Sequence, residues 1–392
     1  MKPEVLTMLH CGDETMRFDI VSSDMWLDLP HGASLIRMFE SFSKIYGARL
    51  SIKVFSKEGL SLDKELCEIR GIEVPRGLES GQLLYYLYVI RRAVEIMRCS
   101  SRIVIFDYPL IPSFIVAKIL RRDLKGVSLV LSRPIVNNPL HPKNLFYRAC
   151  LILGRFFVDR FTAISPFEAE EIGKYVGARK VAVVPSVLST EFLNTPEGCE
   201  EALKKYLSER SLEFLDSGRR VLIYHGVIDE RRGILRVIES FRKLDSDEYG
   251  LAFLGEGPAV GLIRSLEDAR VVYLGRVPLE VVPCVLRKAF AGIAWLPSEP
   301  RWRYQVPTKV LELMALGKPF IASPLPGTLW VVDECPLAIF QEEMTAESLM
   351  RSLERIPELR DDGGICREVA SRFSLEESAR RLMNVLMPIV GK

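Results

Sequence analysis

Two charged residues three positions apart, Lys309 and Glu312, are the first candidates for chemistry. They lie in QVPTKVLELMALGKPFIASPLPG, residues 305–327, and their spacing puts both side chains on one side of a helix. A lysine in the first turn is normally unfavourable, because the helix dipole is already positive there. A bound phosphate would remove that penalty, and a carboxylate beside it can accept hydrogen bonds from the two hydroxyls of a ribose. The pair favours a nucleotide site, and a surface ion pair is the alternative.

The ends of this helix are also predicted by residue type. Pro307 suits a first helical position, because its fixed φ and missing N–H cost nothing there. Gly317 suits the left-handed residue that follows a helix. Val310, Leu313 and Met314 then form the face that packs beneath.

Further candidates follow the strands of the second half of the chain. Gly226 ends RVLIYHG and allows a ligand to approach the backbone, and Arg232 stands just before the next helix. Gly255 ends YGLAFLG, and Arg276 and Val277 follow ARVVYLG. Taken alone these signals are weak, because exposed arginines are usually solvated and glycines often only make tight turns.

The elements that must position these residues alternate between β-rich runs and helical patterns, which is typical of βαβ units. In the first half the sequence predicts strands at 18–22, 49–55, 102–107, 127–132, 160–165 and 180–186. In the second half it predicts strands at 220–226, 249–255, 269–275, 290–296 and 318–323. The fold class is therefore α/β, with two Rossmann-like parallel sheets and a hinge near 187–195. Ligands collect at the carboxyl ends of such strands.

Composition narrows the function classes. With 392 residues the chain is long enough for two domains, and its 53 basic and 51 acidic residues leave no broad basic surface for nucleic acid. Eight cysteines without C-x-x-C spacing predict buried thiols in a reducing compartment rather than disulfides or a zinc site. They stand at 11, 67, 99, 150, 199, 284, 335 and 366. We therefore expect a cytoplasmic protein.

No signal pattern or spanning segment is present in the sequence. The most membrane-like stretch is LFYRACLILGRFFV, residues 145–158, which Arg148 and Arg155 interrupt. It predicts either an ordinary core helix or a surface that faces a membrane.

At this point the chain resembles a known family. PTKVLELMALGKPFIAS, HGVIDERRGILRVIESF, LAFLGEGP, VVYLGRVPLEVVP and FSLEESARRL are similar to the nucleotide-binding domain of GT-B glycosyltransferases, especially the retaining family-4 group. The resemblance implies two Rossmann-like domains facing each other across a cleft. They would be an acceptor-binding domain at 1–190 and a nucleotide-sugar domain at 191–374, with a helix at 375–392 crossing back to the first.

The resemblance also assigns residue roles. Glu312 matches the glutamate that holds the donor ribose, and Arg232 matches the basic residue at the diphosphate. Val227 stands where the family usually has arginine, so Lys309 is the nearest replacement cation, and we assign it a catalytic role with Arg232. A second departure is Tyr304, which replaces a glutamate.

Because Tyr304 cannot accept hydrogen bonds as a carboxylate does, the donor sugar must be recognised elsewhere. We expect the backbone between Arg303 and Val306, including Tyr304 and Gln305, or the carboxylate of Glu299, to do so.

On the acceptor side, GASLIRMFESFSKIYG resembles the family's N-terminal glycine loop and helix, with His31 and Gly32 as site candidates. His225 is interpreted as structural. The implied reaction transfers a sugar from a nucleotide-diphosphate sugar to a glycan or lipid-linked acceptor, without metal or cofactor. If the protein makes peripheral contact with a membrane, the resemblance implies the inner face of the cell membrane. A sugar-nucleotide epimerase or phosphorylase of the same fold, and a non-catalytic subunit, are the alternatives. A Rossmann oxidoreductase is disfavoured, because no strand is followed by G-x-G-x-x-G.

Overall fold

The structure is a computed structural model. It describes residues 17–23, 38, 41–46, 49–56, 61–64, 67–73, 83–99, 102–105, 110–121, 123, 128–132, 142–185, 187–194 and 197–386. The chain divides into two compact units, one of Met1–Val184 with Ser378–Lys392 and one of Pro185–Glu377. The predicted boundaries at 190 and 374 lie a few residues from these divisions.

The first unit is built on a sheet of eight described strands in the order β3-β4-β2-β1-β5-β6-β7-β8. The strands are β1 Arg17–Ser23, β2 Arg49–Ser56, β3 Ser61–Lys64, β4 Cys67–Glu73, β5 Arg102–Ile105, β6 Ser128–Ser132, β7 Arg160–Ala163 and β8 Val181–Val183. All of these pairings are parallel except the antiparallel β3–β4 pair. The helices with described bounds are Leu83–Cys99, Ile111–Leu120, Pro142–Phe157 and Pro166–Val176.

The second unit has a six-stranded parallel sheet in the order β11-β10-β9-β12-β13-β14. Its strands are β9 Arg220–Val227, β10 Tyr249–Glu256, β11 Val271–Gly275, β12 Ala291–Ala294, β13 Phe320–Ala322 and β14 Ala338–Phe340. Its helices are Thr190–Leu193, Cys199–Tyr206, Glu209–Leu215, Ile234–Arg242, Val260–Ser265, Val282–Lys288, Thr308–Ala315, Pro326–Val332, Ala346–Arg355 and Ile365–Ser371. The last helix, Leu375–Leu386, begins in this unit and continues into the first.

The α/β class predicted from the sequence is confirmed, and each predicted strand overlaps an observed one. Strands β3, β4 and β14 were not predicted. In β14, the edge strand of the second sheet, only Ile339 is buried, and β3 with β4 forms an antiparallel pair at the edge of the first sheet. Short or half-polar edge strands carry less of the apolar signal that marks a buried central strand.

The strand order in the second unit creates a switch point between β9 and β12. From β9 the chain proceeds to β10 and β11 on one side, and β12, β13 and β14 lie on the other. The loops that follow β9 and β12 therefore leave the sheet in opposite directions, and in open parallel sheets ligands bind at the carboxyl ends of two such strands. Gly292 on β12 lets the helix Thr308–Ala315 approach closely, since a Cβ there would lie 2.3 Å from Leu313 Cδ1.

The prediction of unpaired thiols is wrong for four cysteines. Cys199 is bonded to Cys284, and Cys335 to Cys366, with Cα separations of 5.4 and 4.5 Å. The partners are 85 and 31 residues apart in sequence. Only tertiary packing brings such distant positions within bonding distance, so local spacing gave no signal. Because disulfides persist in oxidising compartments, these cysteines do not support the expectation of a reducing one.

In the described part of the chain, no helix combines the length and apolar character needed to cross a bilayer. The helix Pro142–Phe157 is apolar on two sides. Leu151 is buried, whereas four large apolar side chains are exposed. These are Leu145, Ile152, Leu153 and Phe156. The interpretation as an ordinary core helix is therefore incomplete.

Candidate functional site

The helix Thr308–Ala315 brings Lys309 and Glu312 to the carboxyl edge of the second sheet. Pro307 is the capping residue before the helix, with φ −67° and ψ 117°, and not its first residue as predicted, because its ψ is extended. Gly317 has φ 62°, as predicted. Its N–H donates to Met314 O at 3.0 Å, and Lys318 N–H donates to Leu313 O at 3.0 Å, which is the Schellman pattern.

Lys309 is buried, with 7% of its surface exposed. Its Nζ lies 3.5 Å from the centre of the Tyr224 ring, a cation–π contact, and has no hydrogen-bond partner among the described residues. Burial lowers the pKa of Lys309 well below 10.5, the charge of Arg232 lowers it further, and Glu312 opposes the shift. The surface ion pair with Glu312 is not formed. Lys309 therefore holds a buried amine that has no hydrogen-bond acceptor among the described residues.

Glu312 is paired with His225 instead. Its Oε2 lies 2.6 Å from His225 Nε2, and the two side chains are 16% and 4% exposed. Within the described part of the chain, Glu312 Oε1 has no hydrogen-bond partner. The sequence interpretation treated His225 as structural and missed this contact, because the two residues are 87 positions apart.

Arg232 closes a 3₁₀ turn, Glu230–Arg232, that follows β9. Its neighbour Arg231 is held by Asp229, which accepts from the Arg231 backbone N–H at 3.0 Å and from its guanidinium at 2.6 Å. Arg231 accordingly lowers the pKa of Asp229. Arg232 instead stacks over the Trp302 ring at 5.0 Å and pairs with no described carboxylate. Of the two arginines, Arg232 is the one that forms no ion pair with a described carboxylate, although Asp229 still feels its charge.

Gly226 and Gly255 end neighbouring strands but differ in what surrounds them. Gly226 has φ 97°, and a Cβ there would meet no described atom within 4 Å. Gly255 has φ 137°, and a Cβ there would lie 2.0 Å from Gly226 O. The adjacent strand explains Gly255 without a ligand, whereas the space beside Gly226 is open to one.

Other predicted donor residues already have protein partners. Arg276 pairs with Glu256 at 2.9 Å, and both are exposed, while Val277 is buried in the core. Glu299 lies 2.9 Å from Arg301. None of these carboxylates and cations is among the described charges that shift the pKa of Lys309, which are those of Arg232 and Glu312.

The segment Arg303–Val306 lies under the start of the helix Pro326–Val332. A Cβ on Gly327 would be 2.2 Å from Gln305 O, and Gly327 N–H donates to Arg303 O at 3.3 Å. Tyr304 and Gln305 are half-buried and Val306 is buried. The backbone assigned to sugar recognition is therefore partly covered by this helix. His31 and Gly32, the acceptor-side candidates, lie outside the described residues.

Comparisons with known proteins fit this arrangement. Residues 219–356 match the family model described as Glycosyl transferases group 1. A search of curated protein sequences found no match.

Three solved structures show the same fold at low identity. Anabaena Alr3699/HepE in complex with UDP has TM-score 0.68 and 14% identity, covering 95% of this chain and 100% of that one. Sucrose-phosphate synthase from Thermosynechococcus elongatus has TM-score 0.68 and 13% identity, covering 96% and 99%. The apo lipopolysaccharide outer core galactosyltransferase WaaB has TM-score 0.65 and 14% identity, covering 95% and 99%.

These likenesses extend over both units, while the family match lies within the second. The resemblance inferred from the sequence is confirmed: the chain has the GT-B fold, and its residues 219–356 match the model of the glycosyl transferases group 1 family.

Proposed function

We propose that this protein is a glycosyltransferase that moves a sugar from a nucleotide-diphosphate sugar to an acceptor hydroxyl. One observation carries the proposal: the buried Lys309 amine, without an acceptor in the described chain, lies beside the charge of Arg232 at the carboxyl end of β9. Two such cations at a helix start and a parallel-strand switch point suit a diphosphate.

In the proposed reaction the bond from the anomeric carbon to the β-phosphate oxygen breaks, and the acceptor oxygen bonds to that carbon and gives its proton to the departing phosphate or to solvent. Negative charge grows on the departing β-phosphate. Arg232, Lys309 and the first N–H groups of the helix would stabilise that charge more in the transition state than in the bound donor. Because these cations can do so, we propose a reaction that needs no metal, and from the family-4 resemblance one with retention.

Glu312 would hold the donor through its ribose. Its free Oε1 can accept from a ribose hydroxyl, while Oε2 is already held by His225. The match to group 1 glycosyl transferases and the UDP bound in the HepE crystal structure support testing UDP first.

A ligand screen followed by calorimetry tests the proposal. Thermal shift with UDP, GDP, ADP and nicotinamide cofactors identifies the ligand, since one present at 100 times its Kd adds roughly 2.7 kcal/mol. Glu312→Gln should then weaken binding of the best nucleoside diphosphate by about 1.5–3 kcal/mol, the range for a hydrogen bond to a charged group. The same substitution should weaken binding of the 2′-deoxy form by less.

If wild type and Glu312→Gln bind the nucleoside diphosphate and its 2′-deoxy form with equal affinity, Glu312 is not part of the nucleotide site. A product formed from the sugar nucleotide without any acceptor would instead indicate an epimerase.

We also propose a lipid-linked or glycan acceptor, with peripheral contact at the inner face of the cell membrane. The exposed apolar face of the helix Pro142–Phe157 supports this, since Leu153 and Phe156 are exposed at i, i+3 spacing and the exposed Arg155 guanidinium lies over the Phe156 ring. Such a face suits an anionic bilayer. Wild type should co-sediment with anionic vesicles, and a Leu153→Ser, Phe156→Ser double variant should not. Equal sedimentation, or a wild type that only dimerises, would contradict this contact.

A further inference from the structure

The pairing of His225 with Glu312 assigns a role to a histidine that the sequence left as structural. We propose that His225 is a positioning residue, which fixes the Glu312 carboxylate toward the ribose of the bound nucleotide and keeps it from pairing with Lys309. The inference rests on the proposed function. Beyond that function, it identifies His225 as the group that sets the preference for a ribonucleotide over its 2′-deoxy form.

Both partners are mounted on elements that cannot easily move. His225 belongs to β9 and is aligned with Leu254 of β10 in the middle of the second sheet. Glu312 belongs to the helix Thr308–Ala315, which packs on β12 through the close approach of Leu313 to Gly292. The contact of 2.6 Å therefore connects two fixed backbones and orients the carboxylate between them.

The chemistry of the pair fixes where the proton lies. An ionised carboxylate only accepts, so His225 must donate from Nε2. His225 Nδ1 is buried and has no hydrogen-bond partner among the described residues. A histidine retained only for stability would be expected to satisfy both nitrogens, because buried polar groups normally do. This one makes a single strong bond, and that bond holds Glu312.

The second effect concerns Lys309. Lys309 and Glu312 are three residues apart on one helix, a spacing at which opposite charges normally pair. They do not pair here, because the carboxylate is turned to His225. Without His225, the carboxylate would be free to turn to the Lys309 amine, and both groups would be lost to the ligand. His225 thus keeps a cation for phosphate and a carboxylate for ribose apart.

Calorimetry on three variants tests this role, with the nucleoside diphosphate from the screen and its 2′-deoxy form as probes. His225→Leu should weaken ribonucleotide binding about tenfold, the loss of one charge-assisted hydrogen bond, and should reduce the preference for ribose. His225→Gln keeps an N–H donor and should restore part of that preference. Ile223→Ala, which truncates a fully buried side chain of the same strand, should lower Tm but keep the preference.

A double variant separates positioning from general damage. In a Glu312→Gln background, His225→Leu should cause no further loss of ribose preference, because the two residues act on one hydroxyl contact. If His225→Leu does not fold, His225→Asn, whose shorter side chain holds its N–H farther from the carboxylate, is compared with His225→Gln instead. Unchanged ribose preference in a folded His225 variant, with Glu312→Gln still impaired, overturns the inference and leaves the proposed function standing. A wild type that binds no nucleoside diphosphate overturns both.

Discussion

Lys309 lies at the start of the helix Thr308–Ala315 and Lys318 just after its end, and the two side chains have different partners. Lys318, just after the helix, donates its Nζ protons to Arg287 O at 2.6 Å and Ala289 O at 2.9 Å, at the end of the helix Val282–Lys288. Lys309, in the first turn, lies over the Tyr224 ring, and its Nζ has no hydrogen-bond partner among the described residues. Burial lowers the pKa of both, and that of Lys309 falls well below 10.5.

The difference follows from helix polarity. Carbonyl groups at a helix C-terminus suit a cation, so Lys318 completes the fold. A helix N-terminus presents N–H groups and positive potential, so Lys309 gains nothing from its own helix. A buried cation without an acceptor destabilises the fold, and such groups cluster at functional sites. The first lysine therefore points to a ligand and the second to stability.

Replacing each lysine by methionine gives the largest expected contrast. Lys309→Met should lower turnover by about a hundredfold to a thousandfold, as for one transition-state donor, with stability maintained or raised. Lys318→Met should keep turnover near wild type and lose roughly 1–3 kcal/mol of stability, because two carbonyls lose their donor. Transfer assays and denaturant unfolding measure the two effects. A Lys309→Met protein that is less stable yet fully active would reverse the assignment.

Breaking the Cys335–Cys366 disulfide should lower the stability of the fold around both lysines without a selective effect on either. Cys366 lies in the helix Ile365–Ser371, which packs against the helix Thr308–Ala315. A double serine variant should lose about 2–4 kcal/mol of stability, since the unfolded chain is less constrained. Nucleotide affinity below the new Tm should change little. A selective loss of affinity would indicate that this disulfide positions Lys309, and the Cys199–Cys284 variant is the control.

The pH dependence of stability should be stronger for Lys309 than for Lys318, because the pKa of Lys309 is lowered further. The folded pKa of Lys309 lies below its unfolded value near 10.5, so the unfolded state binds more protons between these two values. Stability of wild type relative to Lys309→Met should therefore rise with pH through that window and be lowest below the folded pKa.

Unfolding measured from neutral pH to pH 10 checks this expectation. The other charged or titratable groups around Lys309 are Arg232, Glu312 and Tyr224, whose own pKa is raised by burial. Lys318→Met should show a weaker trend. A trend absent at Lys309 would mean that its amine is hydrated.

Gly317→Ala has the smallest expected effect and concerns only the helix end next to Lys318. Gly317 has φ 62° and no described atom within 4 Å of an added Cβ, so the cost is backbone strain alone, about 1–2 kcal/mol. Gly261→Ala, in the helix Val260–Ser265 with equally open surroundings, should be neutral or stabilising. Melting temperatures measure both, with activity unchanged. A loss of activity in Gly317→Ala would mean that the two helix ends are coupled.

Much of the scaffold could be predicted because its signals are local. Apolar runs such as those of β9 and β10 are buried on both faces, and parallel sheets require this pattern. Gly317 predicted the end of its helix, because a left-handed residue is needed there. The motifs between residues 219 and 356 gave the resemblance to a glycosyltransferase family, and a family model matches the same residues. For the site, sequence reasoning proposed Arg232, Lys309 and Glu312, and the fold places them at one switch point.

Local sequence was enough to predict most of the strands and the helix that carries Lys309 and Glu312. Tertiary structure alone decided the partners: His225 rather than Lys309 for Glu312, Tyr224 beneath the Lys309 amine, and the two cysteine pairs. The physical reason is separation along the chain. Secondary structure depends on neighbours a few residues away, whereas a hydrogen bond across 87 residues exists only after the strand order has set β9 beside β12 and packed the following helix on both.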